Sequence, residues 1–383
     1  MRGEESSLIG AAMNAQRVSR LTDEMKHAGV DALFISNPKN VQYLTGFHAT
    51  MPGEVQLFGD PEGFAVAFEG KIHLLCDGRY IAGASELPGV IAQRIDSPTT
   101  AKVLTDGLRA IIGDGRNVIG FEADAMLHAD AVGFFENLKE MECRPAQEIV
   151  SGLRLFKSKE EVDCIRKAQE ITGACFDFIA KQLRVGISEH DVAFEIDTFL
   201  RRHGEGSSFK PIVAFAETSA RPHYTPDPNR KLQKGQMVLL DFGGIYQGYC
   251  GDMTRMAVMG KTDARQREVY DLVLAAQTRC LNGIKPGMAC QEVDALCREY
   301  FREKNCVEAF MHGTGHGVGL AIHEPPRIKP TFQERIQPGM VFTVEPGLYF
   351  PGWGGVRIED MVAITENGFE NLTRTSKVLV ELS

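Results

Sequence analysis

The sequence predicts two domains. A small α/β domain is expected over residues 1–148, a connection at 149–157, and an α+β domain with a pseudo-twofold repeat over 158–383. Three observations carry this prediction. Helical and strand-like apolar patterns alternate through the first half. Carboxylates recur at strand ends in two hairpins near the C-terminal end. The stretch Arg184-Val-Gly-Ile-Ser-Glu-His-Asp-Val-Ala also aligns with Lys285-Pro-Gly-Met-Ala-Cys-Gln-Glu-Val-Asp at an offset of 101.

In chain order, the first half reads as a helix near Ala15–Ala28, a strand at Asp31–Ile35, and strands near Val55–Phe58, Gly63–Phe68 and Lys71–Cys76. A helix at Thr99–Ile112, a strand at Asn117–Phe121 and a helix at Ala125–Lys139 complete it. Ser151-Gly-Leu-Arg-Leu-Phe-Lys157 reads as the connection. Ser158-Lys-Glu-Glu161 has the form of a capping box, which starts a long amphipathic helix, and Ser188 is placed to cap the next. Both copies of the repeat precede a helix, Glu189–Arg202 and Gln291–Lys304, and then strand-forming sequence that leads to a histidine-bearing loop.

Strands of the second domain carry acids at their ends. Met237-Val-Leu-Leu-Asp241 is an apolar strand ending in a carboxylate, and a Gly-rich reversal separates it from Asp252-Met-Thr-Arg-Met-Ala-Val258. A turn centred between Tyr246 and Gln247 sets Asp241 directly opposite Asp252, with Cβ atoms about 4.5–5.5 Å apart. A turn at Gln247-Gly248 makes them diagonal neighbours, still within reach of a shared ion. Glu345 and Glu359 repeat the arrangement around Gly352, within a Pro-Gly-Trp-Gly-Gly reversal.

One hairpin acid is ordinarily a solvated surface group. Four beside apolar strands would repel one another, raising some pKa values and weakening the fold, unless cations balance them. Two divalent ions supply the four positive charges required. A nitrogen ligand is available in His312-Gly-Thr-Gly-His316-Gly-Val-Gly-Leu-Ala-Ile-His323, where glycine lets backbone approach closely. Spacing alone does not choose among these histidines. Hard oxygens with a single nitrogen suit a pair of divalent cations, so the sequence points to a two-metal hydrolase.

These motifs, taken in order, resemble the pita-bread metallopeptidases of the prolidase and aminopeptidase P group. The resemblance rests on Asp241, on Asp252 in Gly-Asp-Met-Thr-Arg, on His-Gly-Thr-Gly-His with His-Glu-Pro after it, on Thr-Val-Glu-Pro-Gly-Leu-Tyr, and on Gly-Gly-Val-Arg-Ile-Glu-Asp. Arg17 to Gly29, Val30-Asp-Ala-Leu-Phe and Asn40-Val-Gln-Tyr-Leu-Thr-Gly46 resemble that group's creatinase-like N-terminal domain. The resemblance implies a pita-bread fold for 158–383, with Asp241, Asp252, His316, Glu345 and Glu359 as metal ligands. It makes His223, His323 and Arg357 contacts of the substrate or transition state, and His312 a histidine lining the site. Homodimers mediated by the N-terminal domain are implied as well.

The implied reaction is hydrolysis of the Xaa-Pro bond of a dipeptide. A water bridging two dications has its pKa lowered from about 15.7 towards neutrality. Glu345 would shuttle the proton, and His323 would donate to the oxyanion. Arg327 and Arg357 are candidate anchors for a substrate carboxylate, since guanidinium offers a bidentate fork. Manganese is the expected metal, with cobalt or zinc as alternatives. Cleavage of longer peptides with proline in second position, as in aminopeptidase P, is the alternative reaction. A non-catalytic binding module on the same fold is the third reading.

Composition narrows the partners. Of 383 residues, 43% are hydrophobic and 24% charged, as in a soluble globular protein, and the net charge of −9, with nothing resembling a basic stripe, argues against a nucleic-acid partner. Nine scattered cysteines read as reduced thiols. The N-terminus carries acids where a signal peptide needs positive charge, and no stretch approaches a membrane span. A cytoplasmic protein acting on small peptides is expected.

Overall fold

The computed structural model of the protein describes residues 2–47, 63–96, 100–115 and 117–382. Two compact units divide the chain, Met1–Arg154 and Leu155–Ser383. The strand expected at Val55–Phe58 lies outside the described residues.

The first unit runs α1 (Arg2–His27), β1 (Ala32–Ile35), α2 (Pro38–Thr45), β2 (Gly63–Phe68), β3 (Lys71–Cys76), α3 (Ile81–Ala84), β4 (Val90–Arg94), α4 (Ala101–Ile112), β5 (Val118–Phe121), α5 (His128–Asn137), β6 (Glu142–Pro145) and α6 (Glu148–Leu155). Its six strands form one sheet in the order β4-β3-β2-β1-β5-β6, antiparallel through β1-β2-β3 and parallel elsewhere. Phe34, Val66, Leu75, Leu108 and Phe134 pack between the sheet and helices α4 and α5. Thr100 caps α4 by accepting from the Val103 amide. Helix α5 begins three residues later than the apolar pattern predicts. The stretch 149–157 is largely helical, because Ile149, Val150 and Leu153 bury one face of α6.

The second unit opens with α7 (Lys159–Ala180) and α8 (Glu189–His203), each started by a complete capping box at Ser158 and Ser188. Next come β7 (Ile212–Phe215), β8 (Met237–Phe242), β9 (Ile245–Tyr246), β10 (Tyr249–Cys250) and β11 (Met253–Met259). A second helix pair, α9 (Ala264–Gly283) and α10 (Cys290–Glu303), precedes β12 (Gly315–Gly317), β13 (Glu324–Ile328), β14 (Val341–Val344), β15 (Gly347–Phe350), β16 (Gly354–Arg357), β17 (Asp360–Thr365), β18 (Gly368–Asn371) and β19 (Val380–Leu382). The main sheets are ordered β19-β11-β8-β7 and β13-β12-β14-β17-β18.

The weak sequence repeat is a structural one. Ser188 bridges Lys231 just before α8, and Ala289 bridges Arg335 just before α10. The Gly235 amide donates to the Met259 carbonyl, as the Gly339 amide does to Ile364. Strands β8 and β14 follow these glycines, and β11 and β17 pair with them antiparallel.

Two apolar cores sandwich β8. Met237 and Leu239 face one, with α9 and α10, while Val238, Leu240 and Phe242 face the other, with α7 and α8. Burial on both faces explains why this strand reads as an unbroken apolar run, and it carries Asp241 into the interior.

Candidate metal centre

The first hairpin takes the second of its two registers. Asp241 pairs with Thr254, and Tyr246 with Tyr249, so Asp252 is a diagonal neighbour of Asp241 rather than its direct partner. The turn residues are Gln247 (φ 48°) and Gly248 (φ 78°), the positive pair that a two-residue hairpin with matched twist requires. A turn one residue earlier would have forced Tyr246 into the left-handed region.

The second hairpin is centred at Gly352, as the spacing implies. Val344 pairs with Asp360 and Gly347 with Arg357 in one continuous register, which sets Glu345 opposite Glu359. The acids of the two hairpins correspond in strand position, though not in register. Asp241 lies four residues beyond the start of β8 and Glu345 four beyond the start of β14, while Asp252 and Glu359 immediately precede β11 and β17.

Strand β12 adds the imidazole. His316 Nε2 lies 3.6 Å from Asp252 Oδ2 and 3.4 Å from Glu345 Oε1. Ligand atoms of Asp252, His316 and Glu359 all fall within 4.8 Å of one another. His316 Nδ1 lies 3.1 Å from the Gly317 carbonyl, which assigns the proton to Nδ1 and leaves the Nε2 lone pair facing the acids.

The electrostatics call for a cation. Burial, then the charges of Glu359, Asp241 and Glu345, pushes Asp252 well above the usual carboxylate range. Burial, then Glu345 and Asp241, does the same to Glu359, and burial pushes Glu345 up to about 7. His316 is driven down to about 3, first by burial and then by His323, so its nitrogen is a neutral acceptor. Asp241 Oδ1 is buried without a hydrogen-bond partner. With the ring proton on Nδ1, His316 Nε2 and the carboxylate oxygens face one another as acceptors, and the four carboxylates and one imidazole form a donor set that fits hard or borderline divalent ions.

Arg357 partly offsets the negative charge. It is 3% exposed and donates through Nε to Thr254 at 3.0 Å, through Nη1 to the Tyr349 hydroxyl at 2.8 Å, and through Nη2 to Asp241 Oδ2. Burial opposes its charge, but Tyr349, Asp241, Glu345 and Glu359 together hold its pKa above the ordinary arginine value. The Tyr349 hydroxyl lies 2.8 Å from His312 Nε2, and His312 Nδ1 lies 2.7 Å from the Gly313 carbonyl. A hydrogen-bonded chain therefore runs from Asp241 through Arg357 and Tyr349 to His312, which burial and Arg357 push down to about 3.

The remaining candidates meet in the same place. A cleft of about 990 Å³ is lined by Asp241, Asp252, His316, Glu345 and Glu359 together with His223, His312, His323, Arg327 and Arg357. The rings of His316 and His323 stand 4.3 Å apart. Arg327 is the cross-strand partner of His316, on the exposed face of β13.

Several residues escaped the sequence reading. Thr254 donates to Glu359 Oε2 at 2.7 Å, and Thr343 to Glu345 Oε1 at 3.2 Å. Gln169 of α7 grips both backbone groups of Asp252, at 2.7 and 3.0 Å. Gln277 of α9 donates to the Val344 and Ile358 carbonyls, at 3.2 Å each. Thr254, Thr343 and Tyr349 stand within the ligand-bearing motifs; the glutamines have no signal beyond being polar on apolar helix faces.

Known proteins resemble this chain in sequence and fold. The sequence profile of metallopeptidase family M24 matches residues 163–366, and that of the creatinase/prolidase N-terminal domain matches 17–156. An Xaa-Pro dipeptidase from Pyrococcus furiosus is 33% identical over 95% of this chain and 99% of its own length. The structure of an Xaa-Pro dipeptidase from Bacillus anthracis superposes with a TM-score of 0.86 at 34% identity, covering 96% of this chain and all of that one. An X-Pro aminopeptidase from Thermotoga maritima gives a TM-score of 0.83 at 28% identity, over 94% of this chain and all of its own.

Proposed function

The chain belongs to metallopeptidase family M24, and we propose that it cleaves the Xaa-Pro bond of dipeptides with two divalent ions, manganese foremost, held by Asp241, Asp252, His316, Glu345 and Glu359. It is a metal-dependent peptidase with the pita-bread fold. The observation that carries the proposal is the grouping of Asp252, Glu345 and Glu359 around the unshared Nε2 of His316, in a cleft that Asp241 also lines with its Oδ1 left without a partner.

Divalent ions bound there would supply an activated water and Lewis acidity at the scissile carbonyl. The protein's own groups do the rest. Thr343 donates to Glu345 Oε1, which leaves Oε2 to take a proton from the attacking water and return it to the leaving nitrogen. His323 donates to the developing oxyanion, and His223 lines the cleft for the same purpose. Arg357 holds Asp241 in place. Arg327 receives the free carboxylate of the substrate through a bidentate fork.

A prolyl bond suits such a site. Its nitrogen carries no hydrogen, so enzymes that grip substrate through that donor lose their hold, whereas a pocket built around the carbonyl and the chain termini does not. The relatives named as Xaa-Pro dipeptidases support this choice. We assign residues 158–383 as the catalytic domain and 1–148 as its companion, joined through 149–157. The protein would act as a cytoplasmic homodimer; no described helix is long and apolar enough to cross a membrane.

The test is metal removal and restoration. Chelator-stripped protein is reloaded with manganese, cobalt or zinc and offered Ala-Pro, Met-Pro and Arg-Pro-Pro. Faster hydrolysis of the dipeptides with manganese is the expected result. Faster cleavage of the tripeptide would move the assignment to an aminopeptidase P activity, and no turnover with any metal would overturn it.

A further inference from the structure

Four cationic side chains line the cleft: Arg298, Arg327, Lys329 and Arg357. Two of them are already committed. Arg298 donates to both oxygens of Asp294, at 2.7 and 3.0 Å, and to the carbonyls of Phe310 and His312, at 3.3 and 2.8 Å. Arg357 is spent on Thr254, Tyr349 and Asp241. Among the described residues, the side chains of Arg327 and Lys329 have neither a hydrogen-bond nor an ion-pair partner.

Lys329 is seated rather than loose. A Cβ added to Gly313 would stand 2.5 Å from Lys329 Cγ and 3.4 Å from its Cε, so the aliphatic stem occupies the space that a side chain at 313 would fill. The Lys329 amide donates to the Arg327 carbonyl at 3.1 Å, which ties the two residues into one turn at the end of β13. Its charge is felt at both Glu345 and His323, where it contributes to a downward pull.

We propose that Lys329 is a specificity-determining residue that receives the substrate's terminal carboxylate jointly with Arg327. This rests on the dipeptidase reading and sharpens it. A carboxylate offers about four lone-pair positions; a guanidinium fork fills two, and an ammonium can take a third. A peptide continuing past proline would instead present a neutral amide to two cations that have no other partner. Selection for dipeptides therefore comes from paired positive charge, with no need of a steric wall.

The experiment uses the full-length protein reloaded with manganese, and measures KM and kcat on Ala-Pro and on Ala-Pro carboxamide. For the wild type, KM is expected to be lower for the acid than for the carboxamide. Lys329→Gln should shrink that KM preference about tenfold, the loss of one charge-assisted contact, with the effect in KM rather than kcat. Lys329→Arg should keep most of it, and Lys329→Met should behave as the glutamine variant does. A preference in Lys329→Gln and Lys329→Met equal to that of the wild type would overturn the role of Lys329 alone. Failure of the wild type to cleave either compound with any metal would overturn the dipeptidase reading and this inference with it.

Discussion

The Thr254 hydroxyl donates its only hydrogen to Glu359 at 2.7 Å while accepting from Arg357 Nε at 3.0 Å. Thr254 is also the register partner of Asp241, so one fully buried residue ties an acid of each hairpin to the same point. Partners of this kind typically set metal affinity by 10–100-fold. Thr254→Val should weaken manganese binding by about that factor in calorimetric titration, and Thr254→Ser should restore it. Equal affinity in all three proteins would remove Thr254 from the metal site.

Gln277 acts on the other hairpin. Its amide hydrogens reach the carbonyls of Val344 and Ile358, the residues immediately before Glu345 and Glu359, while its Oε1 is buried without a partner. Gln277→Leu loses two hydrogen bonds of about 0.5–1.5 kcal/mol each and relieves an unsatisfied acceptor costing about 1–3 kcal/mol. Stability should therefore change little, while the spacing of the two glutamates relaxes and manganese binds more weakly. A large fall in Tm with unaltered metal affinity would show the glutamine to be a packing residue only.

The sequence reveals this site unevenly, and the reasons are physical. Asp241, Asp252, Glu345 and Glu359 are legible because each ends or begins an apolar strand beside glycine. The spacing of the first hairpin admits two registers, although Gly248 decides between them: glycine at the second turn position favours the geometry with both central residues at positive φ. The match of Asp241 to Glu345 and of Asp252 to Glu359 is hidden, since the halves keep strand position but not residue type. Gln277 cannot be found from periodicity, because a polar residue on a buried helix face reveals nothing of what it will meet. Residues 149–157 read as a connection because Ser151 and Gly152 mask the apolar face that folds α6.

Removing the metal should leave a characteristic dependence of stability on pH. Asp252, Glu345 and Glu359 have folded pKa values above their unfolded ones, Glu345 at about 7, so the metal-free fold loses stability as pH rises through that range. His312, His316 and His323 are displaced downward and act in the opposite sense, but only below the unfolded histidine value of about 6.5. Above that pH the acids act without that opposition. The Tm of chelated protein should therefore fall between about pH 6.5 and 8, and manganese should flatten the curve. A Tm that rises over that interval without metal would contradict the carboxylate cage.

Lys157 and Glu324 form an ion pair at 2.8 Å, with side chains only 1% and 6% exposed. Glu324 directly follows His323, and its Oε2 also accepts from the Ala321 amide at 3.3 Å, so the pair fixes both ends of the short loop that carries His323, the residue proposed to donate to the oxyanion. Removing one member of a buried pair leaves an uncompensated charge and costs about 3–5 kcal/mol, whereas replacing both can be close to neutral. Lys157→Met should lower Tm sharply, and adding Glu324→Gln to it should recover much of the loss in scanning calorimetry. If the pair served stability alone, the double variant would regain full activity along with its Tm. Because the pair also holds His323, kcat should stay depressed in the double variant after the fold has recovered.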